Sequence, residues 1–419
     1  MLKQVVRGPL LIPRPDGHVD FHSDGALAGD ECGVLTFAGD WNQLAAGAAA
    51  TRESDGVMLP PLLDIHTHVP QHPVRGRFLE GIPPGAKEGT LLAGLNRNVF
   101  PAEARCHAAD QARRAVDQFR ADTLSHGVVG GAAYMMVSAQ ATSIALASLP
   151  ATWSVGLVMM NQNCPADLRT DEDNLERDVE RLAEEFGRRL IVTDRFAVAV
   201  DTPLRQKAAK LARRFDLRTQ THLNEQCAEK NFVERQLYPQ YSGYTDVYRR
   251  DGLLDQPCIV AHCIHMRPEE WTILARNGST IAHCPTSNFH LGSGRMQLAQ
   301  VMDHKIPFAL ATDVGASPTV SMLAEMGRFL QVQAGVATAE QALYLATLAP
   351  AKALGLDGDL GQLIPGKPMS FIEVRPADST NLATASQAVA AIIPANLDDP
   401  QPAVRRVTLA GKVVFESHA

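Results

Sequence analysis

From about residue 60 onward the chain alternates between short apolar runs and stretches whose apolar positions recur every three or four residues. Eight runs stand out: Leu62–His68, Gly127–Met136, Trp153–Met160, Leu190–Ala199, Leu217–Leu223, Cys258–Cys263, Ser279–His283 and Phe308–Thr312. Their length and continuity read as buried strands. Between them, Leu175, Val179, Leu182 and Phe186 repeat at helical spacing, as do Leu204, Ala208, Leu211 and Phe215. Asp171 or Asp173 is placed to cap the first of these helices. Eight strands alternating with helices predict an α/β fold, a (β/α)8 TIM-like barrel with its chemistry at the C-terminal ends of the strands. An open doubly wound sheet is the alternative, but no Gly-rich nucleotide fingerprint follows any of the runs.

Both chain ends have a different texture. Val5–Ile12 and Gly33–Phe37 are short β-like runs broken by Gly, Pro and Asp, and β texture returns at Ser370–Val374, Ala388–Ile393 and Val407–Phe415. The two ends are expected to pair into one small β-sandwich domain, residues 1–58 with 366–419, attached to a barrel of residues 59–365. A helix is expected from Thr338, its N-cap, to Leu354, with Pro350 breaking or kinking it. Gly361–Lys367 mimics a phosphate-binding loop, but Pro368 stands where Ser or Thr is needed, so a turn before a strand is the better reading. Two connections, Val69–Pro101 and Asn224–Gln256, are long enough to wall or cover a pocket.

Polar residues close several of the eight runs. The first ends in His66-Thr-His68, and side chains two apart on a strand point to the same side. The fifth ends in Thr221-His222 with Glu225 just beyond, the sixth in Ala261-His262, and the eighth in Thr312-Asp313. A single histidine at a strand end is commonly structural; four histidines and an aspartate on four strand ends point to a metal. Three imidazoles and a carboxylate from such a set suit a catalytic zinc or iron(II) ion with room for water. Zinc lowers the pKa of bound water from 15.7 to about 7. Glu225, close by in the loop, is free to handle protons. The compact cytidine-type deaminase pattern, H-x-E with P-C-x-x-C, is missing. The fourth run carries Thr193-Asp194-Arg195-Phe196 and no lysine that could bridge two metals, so one metal is expected; Lys207 and Lys210 belong to the following helix. His265, His283 and His290 are read as supporting or structural, and His18, His22, His72, His107, His126, His304 and His418 lie outside the strand-end set.

Composition narrows the class. A net charge of −7 leaves no basic footprint for nucleic acid, and no Lys/Arg run suggests a membrane surface. No apolar run reaches the roughly 18 residues of a membrane span, and the N-terminus lacks the apolar core of a signal peptide. Seven scattered cysteines without C-x-x-C spacing favour reduced thiols, hence a soluble cytoplasmic protein.

With these residues in view, the chain resembles the amidohydrolase superfamily and, within it, the guanine deaminase family. His66-Thr-His68-Val-Pro-Gln71 matches H-x-H-x-x-Q, Phe100-Pro-Ala-Glu103 matches F-P-x-E, and Thr221-His222-Leu-Asn-Glu225 matches H-x-x-E. Leu237-Tyr-Pro-x-Tyr followed by Tyr244-Thr-Asp-Val-Tyr248 is similar to a string of the guanine-deaminase branch, and Ala261-His262-Cys, the stretch from His283 to Gly294, and Thr312-Asp313-Val-Gly-Ala complete the match. The resemblance implies that His66, His68, His222 and Asp313 bind one zinc (or iron) ion per chain, with His262 beside the attacking water. It implies that Gln71, Phe100, Arg195 and Phe196 hold a small purine, that Glu225, His262 and Asp313 are catalytic, and that the protein is a homodimer. There are departures. Asp194 replaces the proline of T-P-R-F, Asn98-Val99-Phe100-Pro101 replaces Y-T-F-P, the second run reads Gly127-Val-Val-Gly-Gly instead of G-T-T-T, and no Ala-Asp follows Gly366-Lys367. Asp194 and Val99 are expected beside the pocket and bear on which substrate fits. Hydrolytic deamination of guanine is the leading expectation, with 8-oxoguanine, pterins or triazines as other substrates. A non-catalytic barrel scaffold is the reading from another class, and the full set of ligands counts against it.

Overall fold

The computed structural model describes residues 4–44, 49–83, 89–377 and 382–417; His418 and residues 84–88 of the first long connection lie outside them. In chain order the strands are β1 (Gln4–Pro13), β2 (Val19–Gly29), β3 (Leu35–Asp40), β4 (Arg52–Glu53), β5 (Val57–Leu59), β6 (Leu62–His68), β7 (Val128–Tyr134) and β8 (Trp153–Met159). There follow β9 (Leu190–Asp194), β10 (Arg218–Leu223), β11 (Cys258–His262), β12 (Thr280–His283), β13 (Phe308–Leu310), β14 (Phe371–Val374), β15 (Val404–Leu409) and β16 (Lys412–Glu416). The residues cluster into two compact units, Met1–Asp64 with Ala121–Val129 and Val320–Ala419, and Ile65–Arg120 with Gly130–Thr319.

Strands β6 to β13 line up in sequence order in one eight-stranded sheet. Every residue of β6, β7, β8 and β9 is buried, as expected of parallel strands covered on both faces. Asp313 N donates to the His66 carbonyl and His68 N to the Val314 carbonyl, both at 2.8 Å, so the segment after β13 comes round to the end of β6. The result is the expected eight-stranded parallel barrel, with the eight apolar runs as its strands. Gly156 on β8 is there for space: a Cβ would sit 2.0 Å from Thr193 Oγ1 and 2.4 Å from Gln220 Nε2. Those two side chains hydrogen-bond each other at 2.9 Å across the barrel interior.

Two details of the barrel differ from the sequence reading. The fourth run stops as a strand at Asp194, and the chain turns back with Ala199 N bonded to the Phe196 carbonyl. The helix expected around Leu175 spans Leu175–Phe186 with Asn174 at its N-cap, and Asp171 instead accepts from Asn174 N at 3.3 Å. The helix around Leu204 spans Thr202–Arg214 and is capped by Asp201, which accepts from Leu204 N at 2.9 Å. Both long connections carry short helices, Gly89–Gly94 and Phe100–Arg105 in the first, Cys227–Phe232 and Tyr244–Arg250 in the second.

The chain ends build a mixed sheet in the order β16-β15-β14-β5-β1-β2-β3, with β4 beside β1. Val6, Leu10, Ile12, Leu27, Met58, Met369 and Phe371 pack into its core. Glu373, fully buried on β14, accepts from Arg52 Nη2 at 2.6 Å, Arg52 Nη1 at 2.8 Å and Asp55 N at 2.9 Å, with Arg406 at 3.3 Å. Removing one partner of such a buried pair costs roughly 3–5 kcal/mol. This ties the N-terminal and C-terminal segments into one unit.

The sequence reading of this region needs four corrections. Strand β2 was not visible in the pattern, because its first half, Asp20-Phe-His-Ser-Asp24, is polar and only partly buried. Ala388–Ile393 is not a strand but part of a helix, Ala385–Ile392, opened by a capping box between Thr384 and Gln387. Val407–Phe415 is a hairpin, β15 and β16, turning at Ala410 and Gly411 with φ of 47° and 75°. The helix capped by Thr338 ends at Ala346, and a second spans Leu348–Leu354. The break precedes Pro350 because its ring crowds the carbonyl four residues earlier, that of Ala346. Gly361–Lys367 is a turn, as expected, with Gly366 N bonded to the Leu35 carbonyl at 2.8 Å.

Candidate active site

The end of β6 brings His66 and His68 to the barrel mouth, β10 brings His222, and the turn after β13 brings Asp313. Among the described residues these four form a cluster whose ligand atoms lie within 4.8 Å of one another, all buried. His66 Nε2 and His68 Nε2 stand 3.3 and 3.2 Å from Asp313 Oδ1, and His222 Nε2 is 3.3 Å from His68 Nε2. Donors about 2.0–2.2 Å from one ion at bond angles near 90–110° are roughly 3.0–3.5 Å apart, so the set fits a divalent cation. The protonation states agree. Burial pushes all three imidazoles below their ordinary pKa, His68 to about 3, and neutral imidazole is the form that binds metal. Burial alone would raise Asp313, but its bonds to His66 and His68 outweigh this and hold it well below the usual carboxylate range.

The backbone is bent to make this convergence. Asn224, His262 and Asp313 have φ of 51°, 71° and 54°, the left-handed region that side chains other than glycine avoid at a cost of about 1–3 kcal/mol each. Ser287 Oγ donates to Asp313 Oδ2 at 2.6 Å and so fixes that carboxylate. His262 Nδ1 meets Asn288 Oδ1 at 2.9 Å, which turns Nε2 inward, 3.6 Å from Glu225 Oε2 and 3.9 Å from Asp313 Oδ2. Burial, reinforced by the nearby Asp313 and Glu229 carboxylates, pushes Glu225 well above the ordinary glutamate pKa. Ser293 Oγ reaches its Oε1 at 3.4 Å.

Beside the cluster is a pocket lined by Gln71, Arg195, Phe196, His68, His222, Glu225 and Asp313, with Phe78, Leu91, Leu95 and Leu291 as its apolar wall. Arg195 is held on two sides, Nη1 2.9 Å from His68 Nδ1 and Nη2 3.0 Å from Glu103 Oε1. Gln71 Nε2 donates to the same Glu103 oxygen at 2.8 Å, and Gln71 Oε1 accepts from Gly315 N at 3.3 Å. The structure therefore brings together every expected site residue except one. Phe100 is buried but lines a neighbouring cavity, which it shares with Phe196, Asn163 and Cys164. Asp194 and Val99, expected beside the pocket, are buried and do not line it.

Residues 57–414 match the model of the amidohydrolase family. Guanine deaminase from Escherichia coli strain K12 is 33% identical over 331 residues, covering 76% of this chain and 73% of that one. A probable guanine deaminase from Deinococcus radiodurans is 33% identical over 433 residues, 97% of this chain and 95% of its own. The chain belongs to the amidohydrolase family, in its guanine deaminase branch. The solved structure of E. coli guanine deaminase superimposes with a TM-score of 0.85 at 28% identity, covering 99% of both chains.

The hydrogen bonds around the pocket give a place to residues that had no assigned role. Glu103 closes the F-P-x-E motif, and its buried carboxylate, raised by burial against the pull of Arg195 and Gln71, is what aims both of those side chains. A lone acid inside an apolar motif was the available signal. The tyrosine string of the guanine-deaminase branch faces the scaffold, not the pocket. Tyr244 Oη donates to Glu229 Oε1 at 2.7 Å, and Glu229 Oε2 accepts from the backbone N of Glu225 and Gln226 at 3.0 and 3.1 Å. Tyr248 Oη donates to the His222 carbonyl at 2.8 Å. Tyr241 Oη donates to Asp251 Oδ1 at 2.9 Å. Their spacing in sequence gives no sign of these partners. His283 is buried at the end of β12, and His265 Nε2 meets the Ser293 carbonyl at 2.8 Å.

Proposed function

We propose that this chain hydrolyses guanine to xanthine and ammonia, using one zinc ion held by His66, His68, His222 and Asp313. The observation that carries the reading is a single pocket in which Gln71, Arg195 and Phe196 face Glu225 and the four-ligand cluster. When bound, the ion supplies Lewis acidity that brings the pKa of water to about 7. The protein's own residues do the rest. Phe196 offers an aromatic face to the purine, and Arg195 and Gln71, both held by Glu103, donate to its carbonyl or ring nitrogen. As water adds to C2, Glu225 delivers a proton to N3, and burial beside the Asp313 and Glu229 carboxylates favours its protonated form. Asp313 takes one proton from the attacking water and passes it to the leaving amine as the C–N bond breaks, and the proton of the new C2 hydroxyl returns to Glu225 as the carbonyl forms. His262, fixed by Asn288, faces the reacting centre with Nε2.

Arg195→Lys is expected to raise KM for guanine while metal content stays complete. The lost fork leaves buried groups unmet at a cost on the order of 1–3 kcal/mol. Steady-state kinetics alongside metal analysis checks this, and an unchanged KM would mean another residue reads the base. The wider reading is tested by ammonia release from guanine, 8-oxoguanine, pterin and triazine substrates, with guanine expected to be turned over best. Seven free cysteines support a reducing, cytoplasmic setting. A homodimer rests on the family resemblance and is checked by molar mass in solution against the 45.2 kDa of one chain.

A further inference from the structure

Asp194, the residue that departs from the T-P-R-F pattern, precedes Arg195 at the end of β9, fully buried and away from the pocket. Its Oδ2 accepts from Arg205 Nε at 2.8 Å, and its Oδ1 accepts from Thr221 Oγ1 at 3.2 Å. Arg205, equally buried, directs Nη1 to Asp251 Oδ2 at 2.8 Å and Nη2 to the Val200 carbonyl. On the far side of the Arg195-Phe196 pair, Ala197 N donates to Tyr248 Oη at 2.9 Å, and Thr221 Oγ1 reaches that same hydroxyl at 2.9 Å. The two pocket residues are thus pinned at both ends, by Asp194 before and Ala197 after, to one polar network behind the pocket, which Tyr248 Oη ties to the backbone carbonyl of His222.

A barrel does not need such a network for stability. Buried ion pairs are costly to desolvate, and apolar replacements of similar volume are often as stable. A charged pair at this point is explained by where it holds the neighbouring backbone. We propose that Asp194 and Arg205 are positioning residues that set where Arg195 and Phe196 meet the base, and so govern KM for the purine. This rests on the reading that Arg195 and Phe196 hold the purine.

The test compares Asp194→Asn, Arg205→Met, the double variant and Arg195→Lys in the full-length metal-loaded enzyme. Asp194→Asn and Arg205→Met are each expected to raise KM for guanine about tenfold or more, since small misplacements of binding groups are costly, with kcat little changed. Metal content should stay complete. The double variant should raise KM no further than the worse single one, because both act through one contact. If a single variant folds poorly, the triple variant Asp194→Asn, Arg205→Met, Asp251→Asn removes all three buried charges together and carries the same KM expectation. A lower Tm with unchanged KM in the folded fraction would overturn the proposal, as would losses that simply add. An unchanged KM in Asp194→Asn with a raised KM in Arg195→Lys would overturn this proposal alone. An unchanged KM in both would overturn the reading of the pocket as well.

Discussion

Replacing Glu225 by glutamine is expected to leave the metal bound and guanine held, and to lower kcat by about 10²–10⁴-fold. Glutamine keeps the size of the side chain and a hydrogen bond, but it cannot shuttle a proton. The geometry makes Glu225 the carrier. It is buried, its Oε2 is 3.6 Å from His262 Nε2, and it stands three residues past His222 without belonging to the ligand cluster. Asp313, held among the ligands by Ser287, His66 and His68, can serve the attacking water but cannot reach N3 as well. Without a proton on N3, negative charge would build on the ring against the apolar wall of Phe78, Leu91, Leu95 and Leu291. A Glu225→Gln variant with wild-type kcat would refute this role, and so would one that fails only because its metal is lost.

Stripping the metal is expected to abolish turnover, and stoichiometric zinc to restore it. The purified protein should hold one divalent ion per chain, because the described residues provide one cluster of converging ligands. His222→Ala should lose the ion and the activity together, since it removes one of three neutral imidazoles from a buried site. The readout is elemental analysis of the protein as isolated, then activity after chelation and re-addition. A content near two ions per chain would overturn the single-metal site, as would full activity in the chelated protein.

The barrel was legible in the sequence because parallel strands buried on both faces are written as continuous apolar runs, and because the chemistry terminates them. His66, His68, His222, His262 and Asp313 each end or follow such a run, so their convergence followed from topology. The terminal region was less legible. Ala388–Ile393 is a short apolar stretch that fits a strand or a buried helix equally well, and only the Thr384–Gln387 capping box decides it. Glu103 and the tyrosines act across connections whose paths depend on packing, so no periodicity in the chain reveals their partners. Phe100 carried the right motif but faces the neighbouring cavity, and a motif does not encode which of two adjacent cavities its aromatic ring lines.

The most direct test of the central claim is the conversion of guanine in ¹⁸O-labelled water by the purified, zinc-loaded protein, with products followed by mass spectrometry. One ammonia and one xanthine should form per guanine consumed, and the xanthine should carry a single ¹⁸O at C2. Guanine left unchanged, or xanthine formed without the label, would contradict the account.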